Sequence, residues 1–225
     1  MAIAPYVLNF NVDYVKELVP VIEVIQTIQV LAVHPSLGVG TVAELIAVAK
    51  QKPGIGYATS GVGTQQHFIG EWFAQIAGIK LEHVPYRGAG QAINDLIAGH
   101  VLIGLMGPTA VIPHRKAGTV RIIAQSAQER SPSLPDVPTF EEAGVNGLVL
   151  EEWMGVFAPP GIPSNIVARL NTEINKVLLN KAVVERLLEG VEEPVGGPPE
   201  RLAKIMQQDS AKYARLAKEL KIKAE

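Results

Sequence analysis

YATSGVGTQQHFIGEWF, residues 57–73, sets the reading of the whole chain. Ala58, Thr59, Ser60 and Gly61 follow a short apolar run, and Gly63 and Thr64 then lead into Phe68, Ile69, Trp72, Phe73 and Ile76 at helical spacing, stopped by Gly78. The stretch reads as a strand, a glycine loop and a helix N-terminus. The first turn of a helix leaves backbone N–H groups unpaired and carries a partial positive charge, so a glycine loop there can hold an anion close to several donors. A tight turn that only redirects the chain is the other reading of the same glycines.

The flanking sequence repeats the pattern. Upstream, the apolar span 19–33 is interrupted by Glu23, Gln26, Thr27 and Gln29; Ile28, Val30 and Ala32 alternate with Gln29, Leu31 and Val33, giving a buried strand that ends at His34-Pro35. Thr41 with Glu44 offers a capping box to a helix bearing Val42, Leu45, Ile46 and Ala49, and Lys52-Pro53-Gly54 ends it. Downstream come a strand at 81–84, a second polar loop at Pro85-Tyr86-Arg87-Gly88, and a helix with Ala92, Ile93, Leu96 and Ile97. A strand at 101–106, a helix at 109–116 and a strand at 120–127 follow. This alternation predicts an α/β architecture with a mainly parallel sheet covered on both faces, whose carboxyl-end loops gather at one edge. Prolines 132, 135 and 138 make 131–147 a connector, with Thr139 and Glu142 as a second capping box. A strand at 151–158 and three helices, the first marked by Ile166, Val167, Leu170 and Ile174, complete the chain.

Composition narrows the function. The 225 residues are 48% hydrophobic and 19% charged, enough for one large domain or two small ones. A net charge of -2 with scattered Lys and Arg speaks against a nucleic-acid or anionic-membrane partner. The absence of cysteine removes disulfides, thiolate nucleophiles and Cys-ligated zinc, and fits an oxidising compartment. The first 20 residues lack the pattern of an export signal, and no span has the roughly 20 mostly apolar residues of a membrane helix.

Catalytic signatures are missing. A dinucleotide fingerprint would place a third glycine at position 66, where Gln66 stands, and no Gly-Lys-Ser/Thr marks a phosphate loop. His67 and Glu71, four apart, could share a metal on one helix face, but no further ligand is visible near them. No serine lies in a nucleophile elbow. We therefore expect no enzyme activity, no cofactor and no metal. What remains are two donor-rich loops, 59–66 and 86–90, which in a parallel sheet converge on one crevice suited to a carboxylate. Ser60 and Thr64 bring hydroxyl donors, and the glycines open the main chain. Arg87 reads as a solvated cation, and Tyr86 as either a pocket wall or plain packing.

At these residues a family resemblance enters. The series Tyr57-Ala58-Thr59-Ser60-Gly61-Val62-Gly63-Thr64 with His67, His83-Val84-Pro85-Tyr86-Arg87-Gly88, Leu134-Pro135-Asp136-Val137-Pro138-Thr139 with Glu142-Ala143-Gly144, and Ala158-Pro159-Pro160-Gly161-Ile162-Pro163 resembles that of the Bug receptors. These are the extracytoplasmic solute receptors of tripartite tricarboxylate transporters. The resemblance implies a two-lobed, type II periplasmic-binding-protein fold in which loop main-chain groups and ordered waters clasp a carboxylated ligand between the lobes. By matching position, Ser60, Gly61, Gly63 and Thr64 would form one carboxylate loop, and Tyr86, Gly88 and Ala89 would line the facing one. His67 matches a capping or packing position. Gly107-Pro108-Thr109 stands where relatives often carry an acidic residue, which speaks against recognition of an amino-bearing ligand.

The same resemblance implies lobes at 1–29 with 151–225 and at 30–150, the first incomplete because the chain begins after the family's export signal and opening strands. Self-association or low thermal stability is then expected of the isolated chain. The function implied is capture of a small organic carboxylate (a dicarboxylate, tricarboxylate or aromatic acid) in the periplasm, with membrane transporter subunits as partners. A carboxylate-sensing regulatory domain is the alternative.

Overall fold

A computed structural model describes residues 3–7 and 13–222; the export-signal reading rests partly on 8–12, outside them. The chain forms two compact units, Met1–Thr27 with Glu152–Glu225, and Ile28–Glu151. The first opens with α1 (Ala4–Val7), α2 (Tyr14–Glu17) and β1 (Val19–Thr27). The second holds β2 (Val30–Val33), α3 (Val42–Gln51), β3 (Ile55–Thr59), α4 (Gln65–Ala77), β4 (Leu81–Pro85), α5 (Ala89–Ile97), β5 (Ile103–Met106), α6 (Pro108–Lys116) and β6 (Arg121–Gln125). The chain returns to the first through β7 (Glu152–Ala158), α7 (Ser164–Leu178), α8 (Lys181–Glu189), β8 (Glu192–Pro194) and α9 (Pro199–Glu219).

Local signals act where the sequence puts them. Thr41 and Glu44 close their capping box at the head of α3, and Gly78 ends α4 in the left-handed conformation at φ 61°. Thr139 and Glu142 also exchange both bonds, at 2.8 and 3.1 Å, but they close only a turn. Pro138 before them and Gly144 at φ 88° after them leave too few residues to propagate a helix.

Strand pairing departs from expectation in two ways. The apolar span 19–33 is two strands in two sheets: the Gln29 N–H donates to Ser126 Oγ at 2.9 Å, and the chain leaves one ladder for another at Ile28 and Gln29. The sheets are also less parallel than the alternation predicts. In the order β4-β3-β5-β2-β6, β3 runs parallel to β4 and β5, while β2 lies antiparallel to β5 and β6; in β7-β1-β8 every pair is antiparallel. Each strand-helix-strand crossover after β3 restores the strand direction, so β3, β4, β5 and β6 point one way. Only two residues separate β2 from β1, with no crossover helix between them, and β2 points the other way.

The second unit carries the thicker core. Tyr57, Phe68, Phe73 and Phe140 are fully buried there, and β2 and β5 are buried along their whole length, as strands covered on both faces should be. In the first unit Val21, Ile22, Ala158 and Leu178 form a smaller cluster under α7 and α8, while Ile166 and Val177 of α7 and Leu179 just after it stay exposed. Glu23 of β1 is fully buried there, and its Oε2 accepts from Arg201 Nε at 2.8 Å.

Candidate functional site

Within the second unit, β4, β3 and β5 are neighbouring parallel strands, so their carboxyl ends share one edge of the sheet. Each passes directly into a helix: β3 through 60–64 into α4, β4 through 86–88 into α5, and β5 through Gly107 into α6. Three helix N-termini therefore line one edge, the place where α/β sheets receive ligands. Neither α5 nor α6 has a side-chain cap. Arg87, the only charged residue in these loops, is exposed.

All seven residues expected to bind lie along this edge. The two glycine loops touch: the Tyr86 N–H donates to the Thr59 carbonyl at 3.0 Å, and a Cβ on Gly61 would lie 3.4 Å from the Tyr86 carbonyl oxygen. Gly61 and Gly88 adopt φ 146° and 147°, where a side chain is strained, so glycine serves both the backbone path and the close approach.

Three side chains behave otherwise than their residue types suggest. The Thr64 hydroxyl gives its one proton to the Gly61 carbonyl at 2.8 Å while accepting from the His67 N–H at 3.4 Å; it caps α4 and holds the loop instead of offering a free donor. Ser60 directs both its N–H and its hydroxyl to Gln66 Oε1, at 2.8 and 2.6 Å. The Tyr86 hydroxyl donates to Asp95 Oδ2 at 2.6 Å, and burial together with that bond pushes its pKa up to about 12. Tyr86 thus contributes its main chain to the junction between the loops.

Behind the glycine loop stand two stacked imidazoles that sequence reasoning did not pair. The rings of His67 and His83 lie 3.7 Å apart at 16°. His67 Nδ1 accepts the Gly63 N–H at 3.2 Å, which requires an unprotonated Nδ1, and His83 Nε2 lies 2.7 Å from the Thr59 hydroxyl. Burial, reinforced by His83, lowers the His67 pKa to about 4, and burial lowers that of His83 to about 4. His67 Nε2 is 4.0 Å from Glu71, whose Oε1 accepts the Tyr57 hydroxyl at 2.6 Å. Among the described residues no group of three or more His, Cys, Asp or Glu could hold a metal.

These histidines make the loop acid-sensitive. Unfolded imidazoles bind protons near pH 6.5 and the folded pair only near 4, so between those values the unfolded chain binds more protons and stability rises with pH. The contribution is full above about pH 6.5 and fades toward pH 4; partial exposure of His83 limits it to about 1–2 kcal/mol per imidazole. Thermal melts from pH 7.5 to 4 should show this slope, and His67→Phe should flatten it. An unchanged slope in that variant would remove the pair from the explanation.

The first unit holds a separate cavity of about 680 Å³ between β1, α7 and α9, lined by Val19, Pro20, Ile162 and Val167 with Glu200 at its wall. Ser164, Asn171 and Thr172 add polar groups to the lining, and the Glu200 carboxylate repels an anion there. Among the described residues no helix is long and apolar enough to cross a membrane.

Comparison with known proteins gives the chain a family. Residues 1–222 match the family described as tripartite tricarboxylate transporter family receptor. The UPF0065 protein in the tcbD-tcbE intergenic region of Pseudomonas sp. (strain P51) is 35% identical over 211 residues, 93% of this chain and 63% of that protein. Protein BugT of Bordetella pertussis is 33% identical, over 91% of this chain and 63% of its own length. The chain thus spans about 63% of the length of these relatives. Rpa4515 of R. palustris, solved with adipate, superposes with a TM-score of 0.90 at 31% identity, covering 98% of this chain and 76% of that one.

Proposed function

Since this chain belongs to the tripartite tricarboxylate transporter receptor family, we propose that it captures a small organic carboxylate for uptake and does not transform it. The observation that carries this reading is the common edge of β4, β3 and β5, where two glycine loops meet and three helices begin, with the positive ends of their dipoles and little side-chain charge. A carboxylate held by such dipoles is bound without a salt bridge, which keeps the complex reversible, as delivery to membrane subunits requires. The residues that build the ligand edge are Ser60, Gly61, Gly63 and Thr64 on one loop with Tyr86, Gly88 and Ala89 on the other. Thr64 acts by shaping the loop, and Tyr86 through its main chain. Gly107, Pro108 and Thr109 bring no acidic side chain, so the ligand carries no amino group. The place of action is the periplasm, with the membrane subunits of a tripartite transporter as receiving partners.

The adipate held by Rpa4515 puts linear dicarboxylates first in a thermal-shift panel with tricarboxylates, aromatic acids and an amino-dicarboxylate such as aspartate. We expect a saturable rise in melting temperature with at least one amine-free acid and none with aspartate, since bound ligand stabilises by mass action. A chain indifferent to every acid overturns the reading.

A further inference from the structure

Ser60 and Gln66 form a closed pair at the head of α4. The Ser60 N–H and hydroxyl meet the same atom, Gln66 Oε1, at 2.8 and 2.6 Å. A backbone N–H can only donate, so the atom it meets is the amide oxygen, and the orientation of the carboxamide is thereby fixed. Its Nε2 sits on the other branch of the same carbon, beside Ser60. Gln66 is only 8% exposed, yet Nε2 makes no hydrogen bond to any described residue. Both donors of this NH2 group are thus unspent at the head of α4, open to an acceptor that a ligand brings.

We propose that Gln66 is the side chain that meets the ligand carboxylate, and that Ser60 is a positioning residue acting through it. This rests on the carboxylate reading above and deepens it. The residue that spoils a dinucleotide fingerprint at position 66 thus supplies the donor, and the serine expected to contact the ligand orients that donor instead. Gln66 is itself buried in the first turn of α4, whose helical backbone fixes where its side chain starts.

The test is calorimetric titration of the 225-residue chain with the acid the wild type binds, adipate first. Gln66→Glu keeps an acceptor for Ser60 but turns an anionic oxygen toward the ligand. Its affinity should fall ~100-fold at pH 7.5 and recover, relative to wild type at each pH, as the pH is lowered toward 5 and the new carboxyl regains a proton. Gln66→Ala should lose about tenfold, Ser60→Ala somewhat less, and the double variant no more than Gln66→Ala, because one residue acts through the other. Gln66→Ala binding as well as or better than wild type, or additive losses in the double variant, overturns the proposal while leaving the carboxylate reading in place. A wild-type chain that binds none of the acids overturns both. Unchanged melting temperatures of the variants without ligand separate lost contacts from lost folding.

Discussion

Gly70→Ala is expected to destabilise the Ile28–Glu151 unit by about 2–3 kcal/mol. The sign is the informative part. Inside a helix, Gly to Ala ordinarily gains about 1 kcal/mol, through lower backbone entropy in the unfolded chain and better helix propensity. Gly70 lies in the middle of α4, where the helix rests directly on the Tyr57 ring. A Cβ there would fall 2.5 Å from Tyr57 Cζ and 2.8 Å from its hydroxyl. The ring has nowhere to retreat: Tyr57 is fully buried, and its hydroxyl donates to Glu71 at 2.6 Å. Burial and that bond also push the hydroxyl pKa up, so it stays a donor. Because α4 starts at the glycine loop, the displacement also moves Gln66 and Thr64, and ligand affinity should fall with stability. Urea unfolding followed by Trp72 fluorescence reads the effect, and Tyr57→Leu in the same chain should restore part of it. A midpoint at or above wild type would show that the helix does not depend on this contact.

The second large effect lies in the other unit. Arg201→Met removes the ion-pair partner of Glu23 and leaves a fully buried carboxylate on β1. Its Oε1 already lacks a hydrogen-bond partner, so the group has no second support. Breaking such a pair from one side costs about 3–5 kcal/mol; because Arg201 is half exposed, the lower end is expected here. Trp153, whose indole donates to Asp209 at 2.7 Å, reports on this unit, and Trp72 on the other. Unfolding seen by Trp153 should shift to lower urea while that seen by Trp72 moves less. Replacing Glu23 by Met as well should recover most of the loss. A change below about 1 kcal/mol in the single variant would mean that water reaches Glu23.

What the sequence made legible follows the range of the forces involved. The head of α3, the end of α4 and the strand-loop-helix order around the glycine loop are set by neighbours a few residues apart, and each stands where the local signals put it. The break between β1 and β2 was not legible. No glycine or proline marks Ile28 and Gln29, and the bond that separates the strands reaches Ser126, 97 residues away. Strand sense failed for the same reason, because β2 inserts beside strands that lie far along the chain. At the site, residue type located the donors but not their partners. Ser60 and Thr64 were readable as hydroxyls. That one is held by Gln66 and the other by the Gly61 carbonyl depends on how the loop folds back over its helix. His83 lies 24 residues from Thr59, and only the parallel pairing of β3 with β4 brings it under the loop.

The most direct test of the carboxylate edge is an amide-resolved NMR titration of the isotopically labelled chain with adipate. The expected result is saturable shifts in the amides of Ser60, Gly61, Gly63, Gly88 and Ala89 and in the Gln66 side-chain NH2, sharing one dissociation constant. Saturable binding whose shifts fall instead around Ile162, Val167 and Glu200, leaving both glycine loops unmoved, would contradict it.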